Sequence, residues 1–303
     1  MFVGVADPLD TYLGPSEGRY FSSGYRHVQH QVDASAGDSS LHAVGRLRYP
    51  DDWSVDGAGR RRVPHLSSID AVTLSLLALE QTMPAVGDVN LEHLYVASIR
   101  LRAGATPWEH LDNVPVQLAC THDATGIHLD GTAGNIRVQI RIADSHRREP
   151  VGRAGQSVYG ELFRTTRCRT VDLQHVGHAA LVGSHFVDFS LEEEPEGLEA
   201  GCWPGLTVLD YLVTLGQITQ ALVYSSAGLN RASAGPLWMR TMRVERDATP
   251  NRAAEANFLS RAKITRDRVI ERARERLHDV QVVVQTTSGV SATSTLAYTE
   301  GGA

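Results

Sequence analysis

The sequence predicts an α+β protein in which one architecture is used twice, in residues 1–150 and 151–303, each unit an antiparallel sheet wrapped around one long buried helix. Three observations carry this prediction. At 303 residues and 33.0 kDa the chain is too long for one small domain and suits two of about 150. Two segments read as long apolar helices, and each is flanked by strand-like runs. The third observation is an internal match. Pro64, Leu66 and Asp70 in PHLSSID recur as Pro204, Leu206 and Asp210 in PGLTVLD, 140 positions on, and Asp56-Gly57 and Glu196-Gly197 keep that spacing. LYVASIRLRAGATP at 94–107 then matches LWMRTMRVERDATP at 237–250, 143 positions on. Three matches in one order point to tandem duplication, with the join in the polar stretch SHRREPVGRAGQ at 145–156.

Taken in order, residues 18–50 hold Tyr20, Phe21, Tyr25, Val28 and Val32, then an alternating LHAVGRLRY run after the turn residues AGDSS, which predicts two strands and a hairpin. A Gly- and Arg-rich loop follows. From His65 to Met83 apolar residues cover most of a helical surface until Pro84 stops the run, predicting a buried helix. Residues 91–102, 114–121, 126–130 and 135–142 cluster β-formers between Gly, Asn and Asp. The second half repeats the plan: strand-like segments at 156–164, 168–175 and 178–190, an acidic loop, then the longest apolar helix, GLTVLDYLVTLGQITQALVYSS. Strands follow at LWMRTMRVER and EANFLSRAKIT, and QVVVQTTSGVSATSTLAY reads as a hairpin broken at TTSG. RVIERARERLHDV at 268–280 fits helical spacing, but its place in the repeat predicts strand.

Composition narrows the function classes. With 42% hydrophobic and 21% charged residues the chain has the make-up of a packed globular protein. Its 29 basic against 35 acidic residues give a net charge of −6, so the electrostatic attraction that nucleic-acid binding depends on is missing. No apolar run is long enough for a membrane span and the start lacks a signal-peptide pattern. Cys120, Cys168 and Cys202 are odd in number and scattered, which reads as reduced thiols in a cytoplasmic protein. No phosphate-binding Gly-rich loop occurs and no cofactor is implied.

A helix apolar nearly all round must be enclosed, and the simplest enclosure by five or six antiparallel strands is a sheet wrapped around it, the hotdog fold. Two in one chain make a double hotdog, able to exist as a monomer or a homodimer. Pro204 and Gly205, followed by Asp210 on the helix, resemble the central-helix motif of hotdog dehydratases that act on acyl carrier protein thioesters. The physical logic suits thioesters: unsatisfied N–H groups at a helix N-terminus can hold a thioester carbonyl as charge builds on its oxygen. An acid one turn in can serve as base. Asp210 and Asp70 are therefore the candidate catalytic carboxylates, although first-turn acids also serve simply to favour the helix dipole. A plain dehydratase is disfavoured, because the position eight before the Pro, where that family places a catalytic His, holds Glu196 in one half and Asp56 in the other. Glu196 and His65 are the substitute proton carriers. Pro204, Gly205, Gln217 and Arg62, the last within Arg60-Arg61-Arg62, are the candidate substrate-binding residues; Gln220 and Cys202 are weaker ones. The spacing of His175, His178 and His185 suits no metal site, so no metal is assigned.

YLGPSEGRYFSSGYRHV at 12–28, the PHLSSIDAVTLSLLALEQ helix and the overall length resemble the avirulence D protein family of plant-pathogenic and soil bacteria. That resemblance implies syringolide-type secondary metabolism, in which a β-ketoacyl chain is joined to a pentulose. It is similar to the chemistry proposed for the A-factor biosynthesis proteins, also tandem hotdogs. The implied activity is an acyl-condensing enzyme: an acyl thioester, on acyl carrier protein or CoA, meets a small polyhydroxy acceptor, and aldol closure towards a butenolide can follow. Two alternatives stay open, a hotdog dehydratase or thioesterase, and a non-catalytic acyl-binding protein.

Overall fold

The computed structural model describes residues 7–37, 39–55, 60–83, 90–145, 155–189, 194–229, 237–272 and 275–300. In chain order the first half contains α1 (Asp10–Leu13), β1 (Gln29–Ala36), β2 (Ser40–Arg48), α2 (Ser68–Thr82), β3 (Leu94–Arg102), β4 (Val114–Asp123), β5 (Gly126–Ala133) and β6 (Ile136–Asp144). The second half contains β7 (Gln156–Ser157), β8 (Arg167–His175), β9 (Ala180–Asp188), β10 (Pro195–Glu196), α3 (Val208–Ser226), β11 (Trp238–Arg246), α4 (Arg252–Glu255), β12 (Asn257–Arg272), β13 (Glu275–Thr286) and β14 (Val290–Glu300). Of the ambiguous segment 268–280, the described residues 268–272 and 275–280 are strand, in β12 and β13. Two expectations change. Only Gln156–Ser157 of the segment 156–164 is strand; Val158, Tyr159, Leu162 and Phe163 are buried in a turn ending in a 3-10 helix at Leu162–Arg164. Likewise Tyr25 sits in a 3-10 turn at Gly24–His27 before β1 begins. The repeat residues Asp56-Gly57, the stop at Pro84 and the join at 150/151 lie outside the described residues.

Twelve strands form one sheet in the order β1-β2-β4-β5-β6-β3-β11-β14-β13-β12-β9-β8. Read from either end, the order lists equivalent strands of the two halves, so the sheet has a pseudo-two-fold axis between β3 and β11. Their antiparallel register sets Arg100 opposite Arg243, Ile99 opposite Val244 and Leu101 opposite Met242. Arg100 and Arg243 are 143 positions apart, the spacing of the sequence repeat in these strands, so the axis passes through that pair. Strand alternation decides which face is inward: in β2, Leu41, Ala43 and Leu47 are buried while His42, Arg46 and Arg48 are exposed.

The sheet encloses α2 and α3. Ile69, Val72, Leu74, Leu76 and Leu79 of α2 and Leu209, Leu212, Leu215, Ile218 and Leu222 of α3 are fully buried. Such helices carry no polar stripe, because each is covered on all sides. Both start with the same device. Ser67 caps α2 and Thr207 caps α3, each hydroxyl accepting from the N–H of the acid three residues on, while that acid's carboxylate accepts from the cap's N–H. A cap of this kind contributes about 1 kcal/mol. It also fixes the orientation of Asp70 and Asp210.

Candidate functional site

The two carboxylates begin from one local geometry and end in different surroundings. Asp70 is fully buried. Its Oδ2 accepts from Ser67 N–H at 3.0 Å, Ser67 Oγ at 2.6 Å, Tyr20 Oη at 3.1 Å and the Tyr49 hydroxyl. Its Oδ1 is 2.7 Å from His30 Nε2, and His30 Nδ1 is 2.7 Å from Nη2 of Arg164, a residue of the second half. A guanidinium can only donate, so Nδ1 accepts and Nε2 carries the imidazole proton to Asp70. Burial alone would raise the Asp70 pKa, but the hydrogen bonds from His30, Ser67 and Tyr49 outweigh it and the net direction is down. This carboxylate is sealed and saturated.

In the second half the same donors are missing. His30 lies opposite Leu47 in the β1–β2 hairpin; the matching place opposite Val187 in the β8–β9 hairpin holds Cys168. Tyr49, two residues after Leu47, corresponds to Phe189, two after Val187, which has no hydroxyl to offer. Asp210 keeps only its cap: Oδ2 accepts from Thr207 N–H at 2.8 Å and Thr207 Oγ1 at 2.7 Å. Among the described residues nothing donates to Oδ1. Burial pushes the Asp210 pKa up to about 6, against the lowering effect of Thr207 and, more weakly, of Arg26 and Arg246.

Space replaces the missing donors. A cavity of about 50 Å³ is lined by Asp210, Thr214, Gln217, Cys168 and Thr170 and, from the first half, by Arg26. Asp210, Thr214 and Gln217 are four and three residues apart and so share one face of α3. Gln217 is 8% exposed and its Oε1 has no hydrogen-bond partner, an acceptor waiting for a donor. Burial pushes the Cys168 thiol up to about 12, so it is no thiolate nucleophile at neutral pH.

The cavity lies along the flank of α3 and not at its tip, which corrects the expected use of Pro204 and Gly205. Leu206 N–H is bound to Glu255 Oε2 at 2.8 Å and Thr207 N–H to Asp210. Glu255 is held in turn by buried Arg246 at 3.1 Å. A Cβ on Gly205 would meet Cys202 O at 2.9 Å and Glu255 Oε2 at 3.1 Å, so the glycine serves close packing of this turn. Cys202 is buried there.

Four other candidates stand apart from Asp210. The ring of His65 packs edge-on against Trp53, centroids 5.6 Å apart, with Nδ1 3.1 Å from Val63 O; neither nitrogen faces a candidate carboxylate. Glu196 is exposed and accepts from Gly155 N–H at 3.1 Å. Its neighbour is Glu80, which ties the same turn through Leu198 N–H and Ser157 Oγ and whose pKa burial raises to about 7. Arg62 accepts from Trp53 Nε1 through its carbonyl at 2.9 Å and does not line the cavity, and Gln220 is absent from it too. Arg26, Cys168 and Thr170 were missed because nothing local marks them. Among the described residues no His, Cys, Asp or Glu cluster could hold a metal ion.

A palindromic sheet around two capped helices, with one carboxylate sealed and its twin facing a cavity, is a double hotdog. The family described as Pseudomonas avirulence D protein (AvrD) matches residues 5–157 and again 123–299, and the chain belongs to that family. No curated protein matches the sequence. Among solved structures it is similar to the tesB protein of Mycobacterium avium subsp. paratuberculosis, with 10% identity, a TM-score of 0.45, and 89% of this chain and 96% of that one covered. It is also similar to a hot dog protein of unknown function from Alicyclobacillus acidocaldarius, with 11% identity, TM-score 0.42, and coverage of 94% and 99%. A third is an acyl-CoA thioesterase II from Mycobacterium marinum, with 9% identity, TM-score 0.41, and coverage of 89% and 94%.

Proposed function

We propose that the protein is an enzyme acting on acyl thioesters, and that it joins a β-ketoacyl group from carrier protein or CoA to a hydroxyl of a sugar-like hydroxyketone. The observation that carries this reading is Asp210: a carboxylate raised to about 6, with an unbonded oxygen facing a cavity completed by both halves. Ionised, it takes the proton of the attacking hydroxyl, and Gln217 Oε1 accepts a second hydroxyl of the acceptor. Arg26 lines the same cavity, and its positive charge favours both the ionised base and the developing oxyanion. The thioester carbon is attacked, the C–S bond breaks, and the thiol leaves with a proton. Membership of the avirulence D family supports a β-ketoacyl donor and a pentulose-like acceptor.

Incubation with a β-ketoacyl thioester and ketose acceptors should release thiol in an acceptor-dependent way and yield an ester detectable by mass spectrometry. No thiol release with any acceptor, or undiminished release by Asp210→Asn, removes the assignment. The cavity's volume favours a second reading, hydrolysis: about 50 Å³ admits water directly, whereas a pentulose needs the walls to part. Acceptor-independent thiol release with a free acid as product would establish that one.

A further inference from the structure

The half with the open carboxylate also carries a polar chain that the other half lacks. Ser260 Oγ of β12 is 2.7 Å from His185 Nε2 on β9, and His185 Nδ1 is 3.2 Å from Thr170 Oγ1 on β8. All three are buried, at 0%, 3% and 7% exposure, and Thr170 lines the Asp210 cavity. The ring of Phe258 stacks on His185 with centroids 4.6 Å apart. Gly183 makes room beneath, since a Cβ there would lie 3.0 Å from both His185 Nε2 and Ser260 Oγ. Burial pushes the His185 pKa down to about 4, so the ring is neutral at ordinary pH and carries one proton between two hydroxyls.

The first half shows what a purely structural version looks like. Val32 pairs with Gly45 where Thr170 pairs with His185, and Val116 pairs with Ala43 where Ser260 pairs with Gly183. Those positions pack against α2 with no polar atom in their side chains. A buried polar group costs free energy unless its bonds are made, so three polar residues at three equivalent apolar places are not explained by packing. They end at the cavity wall, and they occur only in the half whose carboxylate is open.

We propose that Thr170 is a substrate-binding hydroxyl of the Asp210 site, donating to the carbonyl oxygen of a bound acyl thioester, and that His185 and Ser260 are positioning residues that aim it. In this arrangement Ser260 O–H donates to Nε2, Nδ1–H donates to Thr170 Oγ1, and the Thr170 proton is free to point into the cavity. The donor adds to what the helix start offers, where the N–H groups of Leu206, Thr207 and Asp210 are already bound to side chains. The inference rests on the thioester reading of the site.

The test separates the two. A β-ketoacyl-CoA analogue with methylene in place of the thioester sulfur keeps the carbonyl and cannot be cleaved, so binding is read by calorimetry without turnover. Thr170→Val should weaken binding about tenfold, Thr170→Ser should bind as the parent does, and Ser260→Ala should lose about threefold, each with its melting temperature as a folding control. ¹⁵N shifts of His185 should place the imidazole proton on Nδ1. Unchanged binding by Thr170→Val, or a proton on Nε2, overturns this inference alone. Failure of the parent protein to bind the analogue overturns the thioester reading with it.

Discussion

Asp70 and Asp210 show how little a residue's immediate sequence says about its ionisation. The pKa of Asp210 is raised to about 6 in the folded protein from 3.8, so the folded state binds its proton more tightly than the unfolded state. The associated stability is fully present below pH 3.8 and is lost as pH rises through about 6. Between about pH 4 and pH 8 the parent should therefore lose on the order of 3 kcal/mol that Asp210→Asn does not, read by urea unfolding at the two pH values. Thioester turnover should rise over the same window as the base ionises, with its midpoint near the Asp210 pKa. Asp70 has the opposite sign: its lowered pKa contributes stability above the ordinary carboxylate pKa and loses it in acid. Asp70→Asn leaves Tyr20, Tyr49 and His30 against a partner that no longer carries charge, and should cost about 3–5 kcal/mol at neutral pH and less below pH 4. Equal costs at both pH values would show that the bonds and not the charge matter.

At the scale of the hairpins, the difference between sealed and open sites reduces to a few side chains on homologous frames. Cys168→His with Phe189→Tyr rebuilds in the second half the donors that His30 of β1 and Tyr49, just past β2, bring to Asp70. The double variant should fill the cavity, lower the Asp210 pKa towards the ordinary carboxylate value and abolish turnover while leaving the protein at least as stable. Retained activity would mean that the cavity is not the reacting place. The helices and most strands were legible in the sequence, because burial on one face writes a period of two and enclosure writes an unbroken apolar run. Residues 156–164 misled for the same reason: Val158, Tyr159, Leu162 and Phe163 are buried, but a turn can bury side chains as a strand does. That Asp210 and Gln217 share one face was legible because their helix is local, and seven positions apart means two turns. His30, Cys168 and Arg26 were not, since each reaches a carboxylate only through pairing across the sheet or between halves.

Over the whole molecule the halves complete each other. Arg164 of the second half reaches His30 beside Asp70, and Arg26 of the first lines the cavity at Asp210. Tyr25 and Phe163, which precede these arginines, stack with centroids 6.2 Å apart, and the guanidinium of Arg26 donates to the carbonyl of Arg164. Arg26→Ala should raise the midpoint of the pH–rate profile, because a positive charge that favours the ionised base is gone; an unmoved midpoint would show that Arg26 does not act on Asp210. A change in the first half would thus be felt as chemistry in the second.

The Arg100–Arg243 pair carries a different lesson. In an ancestral dimer of identical chains, a residue on the symmetry axis meets its own copy, and no substitution can give it an oppositely charged neighbour. Fusion removes that restriction, since the two positions now mutate separately. Both are still arginine and both are exposed, Arg243 already reaching Glu245 at 2.6 Å. Arg100→Glu should turn self-confrontation into attraction across the seam, stabilising the chain by up to about 1 kcal/mol at low salt and by less at high salt. The seam keeps, within one chain, a pairing that only two identical chains would be obliged to keep.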